Sequence, residues 1–192
     1  MTTPLRDEIP GGIYHLTTRG DNKEAIYRDD FDRTVFLLML DRVALRYRWI
    51  GLAYCLIGNH YHLVLRIPVG GLSRGMDVLN GGYARRTNER YGRSGHVFRR
   101  RFHSRLIEDE SHLLESCRYP VLNPLRASLC SRPEQWRWSS YRACAGLELA
   151  PSFLAANEVL RLFSDDPAHA KAAYRRFVSE GPVPVAATVT GV

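Results

Sequence analysis

At 192 residues, with 45% apolar and 24% charged side chains, the chain has the make-up of an ordinary folded protein with one core and room for a small appendage, which excludes disorder throughout. A formal net charge of +7 at pH 7, carried almost wholly by arginine, points to a polyanionic partner, because the planar guanidinium suits phosphate and stacks on bases. The opening residues carry no apolar leader and no run approaches a membrane span, so a cytoplasmic protein is expected, with Cys55, Cys117, Cys130 and Cys144, which lack CxxC spacing, as reduced thiols.

Residues 12–19 are dense in β-branched and aromatic side chains and stop at Gly20-Asp-Asn, which predicts a first strand and a turn. Asp29-Asp30 signals the cap of a helix running to about Tyr47, with Phe36, Leu40, Val43 and Tyr47 as its apolar stripe. Residues 49–57 are apolar on both faces, as in a central strand. Gly58-Asn59 then makes a turn, and residues 60–67 return as the partner strand of a hairpin. Leu72, Met76, Leu79 and Tyr83 mark a helix to about Tyr91, weakened at Gly81-Gly82. Phe98 and Phe102, expected in the core, lead into a fourth strand at roughly 101–108, and Asp109 caps a helix carrying Leu113, Leu114 and Cys117.

This succession predicts an α+β fold, a ferredoxin-like split βαβ antiparallel sheet with packed helices, plus a small helical C-terminal extension. The expected division is a main domain over 1–145, the extension over 146–181 and a disordered tail over 182–192. Helical stretches are expected around 153–163 and 167–179, with Trp136-Arg-Trp-Ser-Ser-Tyr141 packing between the two parts.

The most informative stretch is Gly58-Asn-His-Tyr-His-Leu-Val-Leu-Arg-Ile67. On a strand, Tyr61, Leu63, Leu65 and Ile67 share one face and His60, His62, Val64 and Arg66 the other. Two imidazoles two residues apart on one face can converge on a divalent metal. Further on, Tyr119 and Asn123 stand four apart, one turn apart on the same face of a helix. A phenol there can reach the histidine pair, and the amide oxygen can supply a third ligand. Two imidazoles and an amide oxygen, with open positions, suit Mg²⁺ or Mn²⁺ better than a closed zinc site. Such a set can polarise a phosphate while the phenolate attacks it.

Residues 85–105 hold eight arginines against the single acid Glu89. Arg85, Arg86, Arg90, Arg93, Arg99, Arg100, Arg101 and Arg105, with Arg118 and Arg126, are candidates for tracking a nucleic-acid backbone. His15, His96, His103 and His112 have no spacing that demands a metal and are read as structural.

These blocks together resemble a known family. Tyr14-His-Leu-Thr-Thr-Arg-Gly20, Ala53-Tyr-Cys-Leu-Ile-Gly-Asn-His-Tyr-His-Leu-Val-Leu65, Gly95-His-Val-Phe-Arg-Arg-Arg-Phe102, Tyr119-Pro-Val-Leu-Asn-Pro-Leu-Arg-Ala127 and Trp138-Ser-Ser-Tyr141 resemble the REP-associated tyrosine transposases, a branch of the single-tyrosine HUH transposases. The resemblance spans about 12–145. It implies that His60 and His62 are the HUH pair, Asn123 the third metal ligand and Tyr119 the nucleophile. It also implies cleavage of single-stranded DNA beside a palindromic hairpin, leaving a 5′-phosphotyrosine and a free 3′-hydroxyl. Whether such a protein acts as a monomer or a homodimer is not fixed by the resemblance.

Two positions depart from the family pattern. Tyr61 stands where a small aliphatic residue is usual. Pro120 follows the nucleophile where Ile or Val is usual, and because proline lacks an amide donor and crowds the residue before it, a kink or a restart of the helix is expected there. The competing functions are single-stranded nucleic-acid binding without chemistry, and a metal-dependent phosphodiesterase in which water attacks.

Overall fold

The structure, a computed structural model, describes residues 8–181; the tail expected at 182–192 lies outside them. Four strands, β1 (Gly12–Arg19), β2 (Ile50–Leu56), β3 (His60–Ile67) and β4 (His103–Ile107), form one antiparallel sheet in the order β2-β3-β1-β4. Helix α1 (Asp30–Tyr47) links β1 to β2, and α2 (Leu72–Tyr91) links β3 to β4. This is the expected α+β, split βαβ arrangement. Beyond β4 come α3 (Glu110–Arg126), the short α4 (Tyr141–Cys144), α5 (Ala156–Arg161) and α6 (Pro167–Ser179). The cap signals act as read: Asp29 accepts from the Asp32 amide at 3.0 Å, and Asp109 from the His112 amide at 2.8 Å. Strand β4 is shorter than the 101–108 expected, and α4 is a turn of helix that sequence periodicity does not reveal.

Strand alternation sorts the core into two layers. Tyr14, Leu16, Tyr61, Leu63, Leu65 and Ile67 pack against Phe36, Leu40 and Val43 of α1 and Met76, Leu79 and Tyr83 of α2. On the opposite face Ile13, Val64 and Ile107, with Leu52 and Ala53, meet Leu113 and Cys117 of α3 and Val159 of α5. Leu52 and Ala53 enter that layer together because the β2–β3 register shifts between Gly51 and Ala53. Each such side chain taken fully out of water contributes roughly 1.5–3 kcal/mol before entropy is counted. Both faces of the sheet are therefore covered, including the one that carries His60 and His62.

The C-terminal segment closes the β2 edge. Leu56 donates to the Trp138 carbonyl at 2.8 Å, Ser140 to the Tyr54 carbonyl at 2.9 Å and Gly51 to the Phe153 carbonyl at 2.8 Å. A side chain at Gly51 would stand 2.7 Å from the Phe153 ring, so only glycine admits this approach. Trp138, Tyr141, Tyr174 and Val178 join the same cluster as α1 and α2, which puts the 136–141 block in the packing role expected of it.

Helix α3 runs continuously through Pro120 and Pro124, without the restart that is one of the two outcomes expected there. Pro120 leaves the Ser116 carbonyl without its helical donor, a cost of about 3 kcal/mol in an isolated helix. Here Pro120 and Pro124 lie on the buried stripe with Leu113, Cys117 and Val121, and that packing keeps the helix continuous. All four cysteines are free, three of them buried. Among the described residues, no helix is long and apolar enough to cross a membrane.

Candidate active site

Beside the apolar half of the α3-covered face lies a polar half. Strand β1 contributes His15, Thr17 and Arg19 to it, since these alternate with the buried Leu16 and Thr18. In the antiparallel register Thr17 stands opposite His62, and Arg19 opposite His60. Helix α3 lies across this patch and presents Tyr119, Asn123 and Arg126, which share one stripe at i, i+4 and i+7. Two residues on that stripe, Tyr119 and Asn123, each precede a proline buried in the core, so the prolines anchor the helix while their neighbours face the histidines.

His62 is the centre of the arrangement. It is only 5% exposed, and Asn123 Nδ2 donates to its Nε2 at 3.1 Å. That contact makes Nε2 the lone-pair nitrogen and puts the ring proton on Nδ1. The Nδ1 atom faces His15 Nε2 at 3.0 Å and Thr17 Oγ1 at 3.2 Å. His60 Nδ1 donates to Asn59 Oδ1 at 2.7 Å, and Asn123 hydrogen-bonds to the same ring in the sense that favours its protonated form. The two rings stand edge to face, with centroids 5.1 Å apart. Burial, and next the charge of Arg19, lowers the His60 pKa to about 4. Burial, and next His60 and His15, holds His62 well below its ordinary range. Both imidazoles are thus neutral at physiological pH, the state in which a ring nitrogen ligates metal.

The donor set can be judged on this chemistry. Among the described residues no group of three or more His, Cys, Asp or Glu stands at metal-holding range. The set is instead two neutral imidazoles and one amide, converging through Asn123. Each imidazole has its Nδ1 engaged by an outer partner, and the Nε2 of His62 keeps a lone pair, here met by the Asn123 amide, as suits a metal-binding histidine. These residues fit a divalent cation held by few protein ligands, with further positions left for phosphate and water.

Tyr119 borders the pair. Its ring meets His62 edge-on at 5.5 Å between centroids and His15 at 6.1 Å, yet the residue is 43% exposed. The Arg126 guanidinium lies 4.5 Å above the Tyr119 ring and hydrogen-bonds with the residue. Tyr61, the other departure from the family pattern, points to the opposite core, where its hydroxyl donates to Asn80 Oδ1 at 2.6 Å.

The candidate arginines fall into different settings. Arg90 is clamped by Asp29 and Asp32 at 2.7 and 2.5 Å, Arg93 by Glu24 at 2.7 Å, and Arg118 by Glu115 at 2.5 Å while lying over Phe177. Arg85 and Arg86 are exposed on α2, across the sheet from the histidines. Arg99, Arg100 and Arg101 are exposed in the segment entering β4; the Arg99 amide donates to the Arg19 carbonyl at 3.0 Å, which sets that segment against the site end of β1. Arg105 is exposed on β4, opposite His15 in the register. Phe102 is buried and Phe98 packs against the core, as expected of both.

Three neighbours of the pair, His15, Thr17 and Arg19, were not among the sequence candidates. Alternation already puts them on one face of β1. Only the pairing of β1 with β3 brings that face to the histidines.

Comparison with known proteins gives a consistent picture. The family model described as Transposase IS200 like matches residues 9–119. A protein of Haemophilus influenzae described as a REP-associated tyrosine transposase is 23% identical over 177 residues, 86% of this chain and 99% of that one. The solved structure of a REP-associated tyrosine transposase bound to a REP hairpin superposes with a TM-score of 0.63 at 16% identity, over 81% of this chain and 92% of that chain, a likeness of fold.

Proposed function

This chain belongs to the IS200-like transposase family, and on that footing we propose that it nicks and rejoins single-stranded DNA through a covalent bond to Tyr119. The observation that carries the reading is the convergence of Tyr119 and Asn123, from one face of α3, on His60 and His62 of β3. His60, His62 and Asn123 would hold a divalent cation, Mg²⁺ or Mn²⁺, whose chemistry when bound is to polarise the scissile phosphate.

The rest is the work of the chain's own groups. Tyr119 loses its phenolic proton to water, and its oxygen forms a bond to phosphorus as the bond from phosphorus to the 3′-oxygen breaks. The departing 3′-oxygen takes a proton and becomes a free hydroxyl, and the 5′-phosphate stays on the tyrosine. Attack by a 3′-hydroxyl on that phosphorus reverses the exchange and returns the phenol. One phosphodiester is traded for another, so no nucleotide cofactor is needed. Arg126, over the Tyr119 ring and hydrogen-bonded to the residue, holds the side chain at the edge of His62. The 43% exposure of Tyr119 leaves it open to an incoming strand.

The substrate in this reading is single-stranded DNA flanked by a palindromic hairpin, as the hairpin-bound relative suggests. The Arg99 amide bonds to the Arg19 carbonyl and Arg105 stands opposite His15, and in this reading Arg99 and Arg105, with the neighbouring Arg100 and Arg101, track the DNA phosphates. The test is incubation of the protein with Mn²⁺ and end-labelled hairpin DNA, resolved on a denaturing gel. Cleavage that needs the metal and is lost in His60→Ala supports the reading. Salt-sensitive binding without cleavage on any hairpin substrate would leave only nucleic-acid binding.

A further inference from the structure

His62 has two ring nitrogens and both are spoken for. Asn123 donates to Nε2 at 3.1 Å, so the proton must sit on Nδ1, and the acceptors there are His15 Nε2 at 3.0 Å and Thr17 Oγ1 at 3.2 Å. Thr17 is the direct cross-strand neighbour of His62, and His15 the diagonal one. The His15 ring lies tilted by 38° against that of His62, with centroids 5.2 Å apart. His60 has a matching outer partner in Asn59, which accepts its Nδ1 proton at 2.7 Å.

We propose that His15, seconded by Thr17, is a positioning residue that accepts the Nδ1 proton of His62 and so fixes the tautomer and ring orientation that turn Nε2 toward Asn123 and His60. A free neutral histidine side chain exchanges its proton between the two nitrogens and in water favours the other tautomer, Nε2–H. Inside the fold, a proton on Nε2 would confront the Asn123 amide hydrogens and leave Nδ1 with no proton to give to His15. His15 thus removes a misfit state of the site before any ligand arrives. Its bearing on metal binding rests on the function proposed above; the hydrogen-bond geometry does not.

Long-range proton–nitrogen NMR of ¹⁵N-histidine-labelled, metal-free protein reports which nitrogen of His62 bears the proton. The expected spectrum shows Nδ1–H with a bare Nε2; a wild-type spectrum showing Nε2–H overturns the proposal without any variant. In the double variant His15→Leu, Thr17→Val, with its fold checked by circular dichroism, the His62 signals should move toward a tautomer mixture. Mn²⁺ affinity, measured by electron paramagnetic resonance without DNA, should fall about 10- to 100-fold. His15→Gln, whose Oε1 can replace the Nε2 acceptor, should restore most of both. A folded double variant with unchanged tautomer and affinity, or a His15→Gln, Thr17→Val variant as impaired as His15→Leu, Thr17→Val, contradicts the positioning role. If the wild type takes up no Mn²⁺, the metal reading fails while the tautomer measurement still decides the role of His15.

Discussion

Asn123 donates from Nδ2 to His62 Nε2 at 3.1 Å, and this one hydrogen bond ties the face of α3 that carries Tyr119 to the strand that carries both histidines. Replacing Asn123 by Ala removes it and takes an amide ligand from the site. Mn²⁺ affinity should drop about tenfold, or about 1.4 kcal/mol. Asn123→Asp puts a carboxylate beside two neutral imidazoles and should bind Mn²⁺ more tightly than the wild type. Equal affinities across the three proteins, by titration calorimetry, would count against Asn123 as a ligand.

The histidines give the metal-free protein an acid-sensitive fold. Burial, then the charge of Arg19, lowers His60 to about 4; burial, then His103, His112 and Arg105, lowers His15 to about 4. An unfolded histidine titrates near 6.5. Between those values the unfolded chain binds protons that the native one refuses, so stability falls as the pH is lowered from about 6.5 to about 4. Every pH unit separating the folded from the unfolded titration corresponds to on the order of 1.4 kcal/mol, a few kcal/mol per histidine across the window. Urea unfolding at stepped pH should show this loss between about 6.5 and about 4, with a shallower slope in that window for His15→Gln.

Tyr61 offers a test of strand alternation. It is fully buried in the layer opposite the histidines, with its hydroxyl on Asn80 at 2.6 Å. Tyr61→Val leaves a cavity and removes the donor to Asn80, at a cost of about 2–4 kcal/mol in stability. Mn²⁺ affinity of the folded variant should not change. A loss of metal binding without a loss of stability would mean that Tyr61 serves the site.

The arginines should divide by setting. Arg90→Ala breaks the clamp between α2 and the Asp29–Asp32 cap of α1, and should lower the melting temperature with little effect on DNA affinity. Removing Arg99, Arg100 or Arg101 should leave the fold unaffected and weaken hairpin binding. The salt dependence of log K should shrink by about 1 for each phosphate no longer neutralised. Binding measured at several salt concentrations separates the two classes.

What the sequence revealed and what it hid follow from the range of the forces involved. The Asp29 cap, the alternation of residues 60–67 and the stripe of α2 are local, and β1, β3 and α6 begin and end where their patterns do. Pro120 misled because its local cost is real, but the burial of Cys117, Pro120 and Val121 against the core outweighs it and keeps α3 continuous. The sequence alone offers His15 no partner, because His62 is 47 residues away and meets it only once β1 pairs with β3. The cover over the histidine face has the same origin: no strand pattern tells that α3 and α5 lie on it.

Whether Tyr119 is the nucleophile is read most directly by mass spectrometry of the protein–DNA adduct after nuclease and protease digestion. The expected adduct is a nucleotide joined through its 5′-phosphate to the peptide at Tyr119, formed only with Mg²⁺ or Mn²⁺ and absent in Tyr119→Phe. Metal-dependent cleavage that persists in Tyr119→Phe, or an adduct mapped to another residue, would contradict it.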